Sequence, residues 1–262
     1  MTNYRSLTEK EIATLTVYGC SAESWQNVLV AEDFSPAYIT NVHFSGNVHL
    51  GTFSKIFDLP GGLKKHAGLN NCMLHNCIIG NDVYIDKIDN YIANYSIGDG
   101  SYIENVNLIL VDGVSSFGNG VKVPVMNEGG GREIPIFDFL SAPLAYILTL
   151  YRHRPQLIQN LQKRIDNYAT AQQSATGSIG VNVKIVNCGS IKNVRIGDHA
   201  LIEGASLLEN GSVNSNAEAP VVIGSGVKCN DFILSSGVSV TDSTLISKCF
   251  IGQCCILGKH YS

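Results

Sequence analysis

From Met73 the chain places an apolar residue at every sixth position: Met73, Ile79, Ile85, Tyr91, Ile97, Ile103 and Ile109. Small or turn-forming residues follow several of these, as in Ile79-Gly80-Asn81-Asp82 and Ile97-Gly98-Asp99-Gly100. Four residues after the repeat position a second small or branched residue recurs, at Cys77, Val83 and Ser101. An α-helix cannot keep a period of six on one face, and a flat sheet demands a period of two. The pattern instead predicts a triangular solenoid, in which each hexad supplies a short parallel strand and a corner and three hexads close a coil. Such coils stack about 4.8 Å apart, with aliphatic side chains inside. Gly, Asn and Asp take the corners because they enter left-handed backbone at least cost.

The same phase occurs earlier at Tyr38, Phe44, Leu50 and Ile56, with Val42 and Val48 as secondary inward positions. It returns at Ile179, Ile185 and Ile191, resumes one residue short at Ile196, Ile202 and Leu208, and continues through Ile223, Leu245, Ile251 and Leu257. Breaks in phase predict loops over Leu59–Gly68 and Glu209–Pro220. Between Ile134 and Ala171 the hexad gives way to helix signals. Ser141 precedes Pro143, and Leu144, Ile147, Leu148 and Tyr151 recur at helical spacing. Pro155 opens a second helix with Ile158, Leu161 and Ile165 on one face. Thr8-Glu9-Lys10-Glu11 has capping-box form and predicts a short N-terminal helix. The expected organisation is a lead-in over 1–37, coils over 38–125, a helical insertion over 126–176, and further coils over 177–262.

Composition fits a fold rich in strands and turns. Charged residues are 15% of the 262 and hydrophobic ones 45%, with 26 glycines; average domains carry roughly 25% charged residues. A net charge of −4 gives no footprint for nucleic acid or an anionic membrane. The one cationic cluster, Arg152-His153-Arg154 with Lys163-Arg164, reads as a solvated helix face. No leader pattern opens the sequence, and the apolar run Pro143–Leu150 is too short to span a bilayer, so a cytoplasmic protein is expected. Eight cysteines include no C-x-x-C pair and suit small buried thiols. Gly129-Gly130-Gly131 lacks the Lys-Ser/Thr of a phosphate loop. His43, His49 and His199 fall between inward positions, and His260 lies near the end. No set of histidines has metal-ligand spacing, so no metal is expected.

One run points to chemistry. His75-Asn76-Cys77-Ile78-Ile79-Gly80-Asn81-Asp82 resembles the H-x-C-x-[IV]-G-[ND]-[ND] stretch of lipid A acyltransferases, members of the hexapeptide-repeat transferases. The resemblance implies an all-β solenoid, a left-handed parallel β-helix with an inserted α-helical hairpin, assembled as a homotrimer. It implies transfer of an acyl group from a coenzyme A or carrier-protein thioester to a saccharide-type acceptor, with His75 as general base. His66, on the loop Leu63-Lys64-Lys65-His66, is the second candidate base, and Lys64 and Lys65 could meet a coenzyme A phosphate. The segments Ile134–Ser141 and Glu203–Gly211 are similar to uncharacterised bacterial proteins, many from Bacteroidetes, in which such a part begins a longer chain. An open final coil likewise predicts that more chain or a partner covers it. A non-catalytic module, with His75 merely outward on a solvated coil, remains the alternative.

Overall fold

The computed structural model describes residues 3–126 and 130–258. It is mostly β, with three α-helices: α1 (Glu9–Val17), α2 (Ala142–Leu150) and α3 (Pro155–Ala171). Twenty described strands join one hydrogen-bonded sheet. Its pairings are parallel except that Tyr4–Ser6 runs antiparallel to Val28–Ala31. Two antiparallel hairpins stand apart, Ile56–Asp58 with Lys64–His66 and Lys122–Pro124 with Glu133–Pro135. The sheet is therefore mixed, and this corrects the uniform repeat expected from the hexads. The departure is at the start of the chain, where the strand Tyr4–Ser6 precedes α1 and pairs antiparallel with Val28–Ala31.

Three rows of inward aliphatic residues organise the parallel strands. One runs Ile39, Leu69, Ile85, Ile103, Ile185, Ile202, Ile223 and Val240, each in register with the next. A second runs Phe44, Leu74, Ile92, Ile109, Ile191, Leu208, Cys229 and Ile246. The third runs Leu50, Ile79, Ile97, Ile179, Ile196, Val213, Leu234 and Ile251. All these side chains are buried in one continuous core. Each contributes about 1.5–3 kcal/mol by leaving water.

The strict six-residue phase needs correction where neighbouring inward positions stand one residue closer, as from Ile39 to Phe44, Leu74 to Ile79, Ile92 to Ile97 and Ile246 to Ile251. Leu74 and Cys72 are buried in place of Met73, Ile92 in place of Tyr91, Ile39 in place of Tyr38, and Ile246 in place of Leu245. Ile56 belongs to the outlying hairpin and is exposed. That hairpin occupies the predicted loop after Leu59 and begins before it. The second predicted loop is shorter than expected, since Leu207–Val213 is a strand.

Corner asparagines set these steps. Asn41, Asn71, Asn76, Asn94, Asn105, Asn187, Asn193 and Asn210 all have positive φ, a region asparagine tolerates better than branched residues. Their amides bond up the stack. Asn41 Nδ2 donates to Asn71 Oδ1 at 3.0 Å, Asn105 Nδ2 to Asn187 Oδ1 at 2.7 Å, and Asn210 Nδ2 to Asp231 Oδ1 at 2.6 Å.

Residues 112–176 leave the rows and return to them. Strand Tyr102–Leu110 pairs directly with strand Lys184–Ile196, so the stack continues across the departure. α2 is capped by Ser141 and α3 opens on Pro155, as expected. They enclose a second core of Ile134, Ile136, Phe137, Leu140, Leu148 and Ile165, closed against Ile233 of the sheet. Polar bonds fix the same seam: Ser212 Oγ donates to Phe117 O at 2.7 Å, and Asp138 accepts from Tyr168 Oη at 2.8 Å and Asn214 Nδ2 at 2.9 Å.

Tyr95 locks the two sides of the departure from within. Its hydroxyl, fully buried, donates to Val194 O at 2.7 Å and accepts from Val194 N at 3.2 Å. Its ring lies where a Cβ on Gly177 would sit 2.5 Å away, so only glycine fits there. Tyr95→Phe removes both bonds from a water-free interior and is expected to cost about 1–2 kcal/mol. Urea unfolding of the two proteins measures this.

Candidate functional site

His75 ends the strand Gly68–His75 and points outward beside the corner at Asn76. Both ring nitrogens are engaged. Nδ1 lies 2.7 Å from Ser45 Oγ, and Nε2 accepts from Asn76 Nδ2 at 2.9 Å, which makes Nδ1 the donor to Ser45. Asn76 also donates to Asn94 Oδ1 at 3.3 Å and accepts from Asn47 N at 3.0 Å. The imidazole is thus one member of a polar ladder, and its acceptor nitrogen is covered by an amide.

A cleft of about 570 Å³ opens next to this ladder. Asn47, Asn76 and Asn94 line one side, with His49 and Ile78. The two ends of the departing segment form the other, through Gly113 and Val114 on the way out and Ala175 and Thr176 on the way back. Ile78 and Val114 are exposed there and give the polar wall an apolar counterpart. The Tyr4 ring lies 4.8 Å from that of His49. Carboxamides beside a small apolar platform suit a ligand with hydroxyls and a non-polar ring face, which would compete with the bonds of Asn76 to His75 and Asn94 and of Asn94 Nδ2 to Val111 O at 2.9 Å. None of the residues lining the cleft is a formal charge.

His66 is placed elsewhere. It closes the outlying hairpin, stacks on Tyr38 with ring centroids 3.5 Å apart, and has Nδ1 2.8 Å from Ala67 O. Neither His75 nor His66 lines the cleft beside Asn76. Lys64 is exposed and pairs loosely with Asp58 at 3.5 Å. Lys65 turns inward, with Nζ 2.5 Å from Glu104 Oε1 and 5.1 Å from the Tyr84 ring centroid. Tyr102 donates to the same carboxylate, and its ring stacks on Tyr84 at 4.7 Å. Lys65 is therefore held away from any incoming phosphate. Burial would lower its pKa, but bonds to Glu104, Tyr102 and Tyr84 outweigh that and raise it. Burial likewise opposes ionisation of Glu104, yet the Lys65 and Tyr102 bonds hold it below the usual carboxylate range. Burial pushes Tyr84 up to about 12.

Five of the cysteines are buried, and burial pushes Cys77 up to about 11 and Cys229 to about 12, so neither offers a thiolate. Cys254 and Cys255 are exposed. Among the described residues no three histidine, cysteine or acidic side chains gather as metal ligands, and no helix is long and apolar enough to cross a membrane. Gly129 and His260 lie outside the described residues.

A protein-family model, described as a domain of unknown function (DUF4954), matches residues 4–262. A curated relative from Treponema pallidum (strain Nichols), described as an uncharacterized protein, is 26% identical over 260 residues. The alignment covers 90% of this chain and 34% of that relative, so the chain spans about a third of the relative's length. These findings correct the assignment to the hexapeptide-repeat transferases suggested by residues 75–82. The matching family covers nearly the whole chain, and the sheet is mixed. The trimer drawn from that resemblance has no other support.

The Lys65–Glu104 pair predicts a pH effect on stability. Glu104 has a depressed pKa in the folded protein, so its contribution is complete above the ordinary carboxylate range. It is lost as pH falls through that range towards the folded value. Thermal unfolding followed from neutral to acidic pH is expected to lose stability less steeply in Glu104→Gln than in the parent.

Proposed function

The chain belongs to this family of domains of unknown function, and on that footing we propose that it is a ligand-binding β-coil whose trough takes a saccharide-type molecule. In this proposal the three inward rows are the walls of a closed parallel β-helix, and residues 112–176 form an arm laid across it. The observation that carries it is the trough itself, whose lining combines the amides of Asn47, Asn76 and Asn94 with the exposed Ile78 and Val114. Hydroxyls satisfy carboxamides in both directions, and the C–H face of a sugar ring covers aliphatic side chains. A site with no formal charge favours a neutral ligand over an anionic one.

Saturation-transfer NMR and calorimetry with neutral and N-acetylated hexoses and their disaccharides test this directly. Binding is expected, and Asn76→Ala is expected to weaken it about five- to tenfold, the worth of about one hydrogen bond. No binding by any sugar of the set, or binding that Asn76→Ala leaves intact, contradicts the proposal.

One observation favours acyl transfer as a second reading. The amide that covers His75 Nε2 also lines the trough, so a ligand that draws Asn76 towards itself uncovers a basic nitrogen behind the Asn76 position of that wall. His75 would then take the proton of an acceptor hydroxyl attacking a coenzyme A or carrier-protein thioester, while Ser45 holds the other nitrogen. Of Lys64 and Lys65, the exposed Lys64, paired only loosely with Asp58, is the one that could meet a coenzyme A phosphate. Under this reading His75→Ala lowers turnover on the order of 10²–10⁴ with saccharide binding retained. A parent protein that binds sugar but releases no thiol from acetyl-CoA in its presence rejects transfer and leaves the binding proposal standing.

A further inference from the structure

The stretch from Phe139 to Ile165 contains no Asp or Glu, in a chain whose net charge is −4. It carries Arg152, Arg154, Lys163, Arg164 and His153. It also contains α2, which has no charged residue and yet leaves much of its surface in water. Tyr146 is 56% exposed and Leu150, one turn on, 41%. The patch continues past the helix. Tyr151 packs on Tyr146 with ring centroids 6.1 Å apart, His153 lies 5.5 Å from Tyr151, and Arg154 and Leu157 are exposed beyond it.

Nearby acids do not neutralise this surface. Asp138 is bound by Tyr168 and Asn214, and Glu133 by the Gly131 amide. Asp166 follows the stretch directly and, three residues after Lys163 on α3, offsets part of the charge there but not at Arg154 on the head of that helix. Arg152 is half-buried against Glu133 O, which leaves Arg154, Lys163 and Arg164 as exposed cations.

Leucine and tyrosine beside arginine and lysine form the composition that settles at a bilayer interface. Apolar groups enter the headgroup–acyl boundary, tyrosine sits at headgroup depth, and cations meet anionic lipid. Nucleic acid would reward the cations but not the exposed aliphatic face. We infer that the junction of α2 and α3, centred on Tyr146, Leu150, Tyr151 and Arg154, docks on the surface of an anionic lipid bilayer. The attachment is peripheral and leaves the parallel rows in water, since no helix of the described residues is long enough to span.

Flotation of the chain with phosphatidylcholine vesicles, and with vesicles of phosphatidylcholine mixed with phosphatidylglycerol, provides the test. The protein is expected to float with the mixed vesicles, to stay in solution with the neutral ones, and to be released by high salt. Tyr146→Ser combined with Leu150→Ser is expected to abolish flotation with thermal unfolding unchanged, because both side chains are exposed. Arg154→Gln is expected to reduce partition roughly fivefold, the usual effect of one surface cation. No flotation with either vesicle overturns the inference. So does flotation that the Tyr146→Ser/Leu150→Ser protein retains, which would make the surface a reader of plain anions such as nucleic acid. So does a light-scattering mass of several copies that the same variant returns to one, which would make the face an interface between copies.

Discussion

The parallel pairing of strand Tyr102–Leu110 with strand Lys184–Ile196 is the constraint on which the other features depend. It joins the rows on either side of residues 112–176 and fixes where that segment must leave and return. The two ends of the segment are thereby brought to one edge, where Gly113 and Val114 face Ala175 and Thr176 across the asparagine corner. Had the rows broken at Leu110, there would be no trough beside His75 and no fixed base for the helical arm. Tyr95 and Gly177 secure the join from inside, the ring filling space that the glycine leaves and the hydroxyl bonding the Val194 backbone.

Much of this architecture was legible as periodicity. The aliphatic positions Ile79, Ile85, Ile97, Ile103 and Ile109 are buried where the spacing put them. The capping box at Thr8 and the Ser141 and Pro155 helix starts were local signals that tertiary packing had no reason to override. The failures at Met73, Tyr91, Tyr38 and Leu245 are slips of one residue. A six-residue count assumes equal corners, whereas asparagine in left-handed backbone, as at Asn41, Asn76 and Asn94, lets a corner turn with one residue fewer. Fixed spacing carries no record of which corner has done so. Nor did it show the antiparallel first strand, whose direction depends on α1 folding back rather than on any repeat.

The site was less legible. His75 stood out because its neighbours resembled a known motif, yet the structure gives its two nitrogens to Asn76, the next residue, and to Ser45, which only the pairing of strands Ile39–Ser45 and Gly68–His75 brings alongside. Asn47, Asn76 and Asn94 look in sequence like ordinary turn residues. They become one wall only when corners far apart in the chain are superposed, and Val114 and Thr176 join them only through the pairing across the departure. Lys64 and Lys65 looked alike in sequence, and burial against Glu104 separates them. The cationic cluster at Arg152–Arg154 was visible as composition. Its apolar neighbours showed helical spacing, which does not say how much of α2 stays exposed.

Native-state amide hydrogen exchange across the join is the most direct measure of the central claim. If the rows form one cooperative stack, amides of Ile103, Val106 and Ile109 before the departure and of Ile185, Cys188 and Ile191 after it exchange with one common opening free energy. That value should fall for both groups together in Tyr95→Phe. Separate opening energies on the two sides, with Tyr95→Phe moving only one of them, would contradict the account.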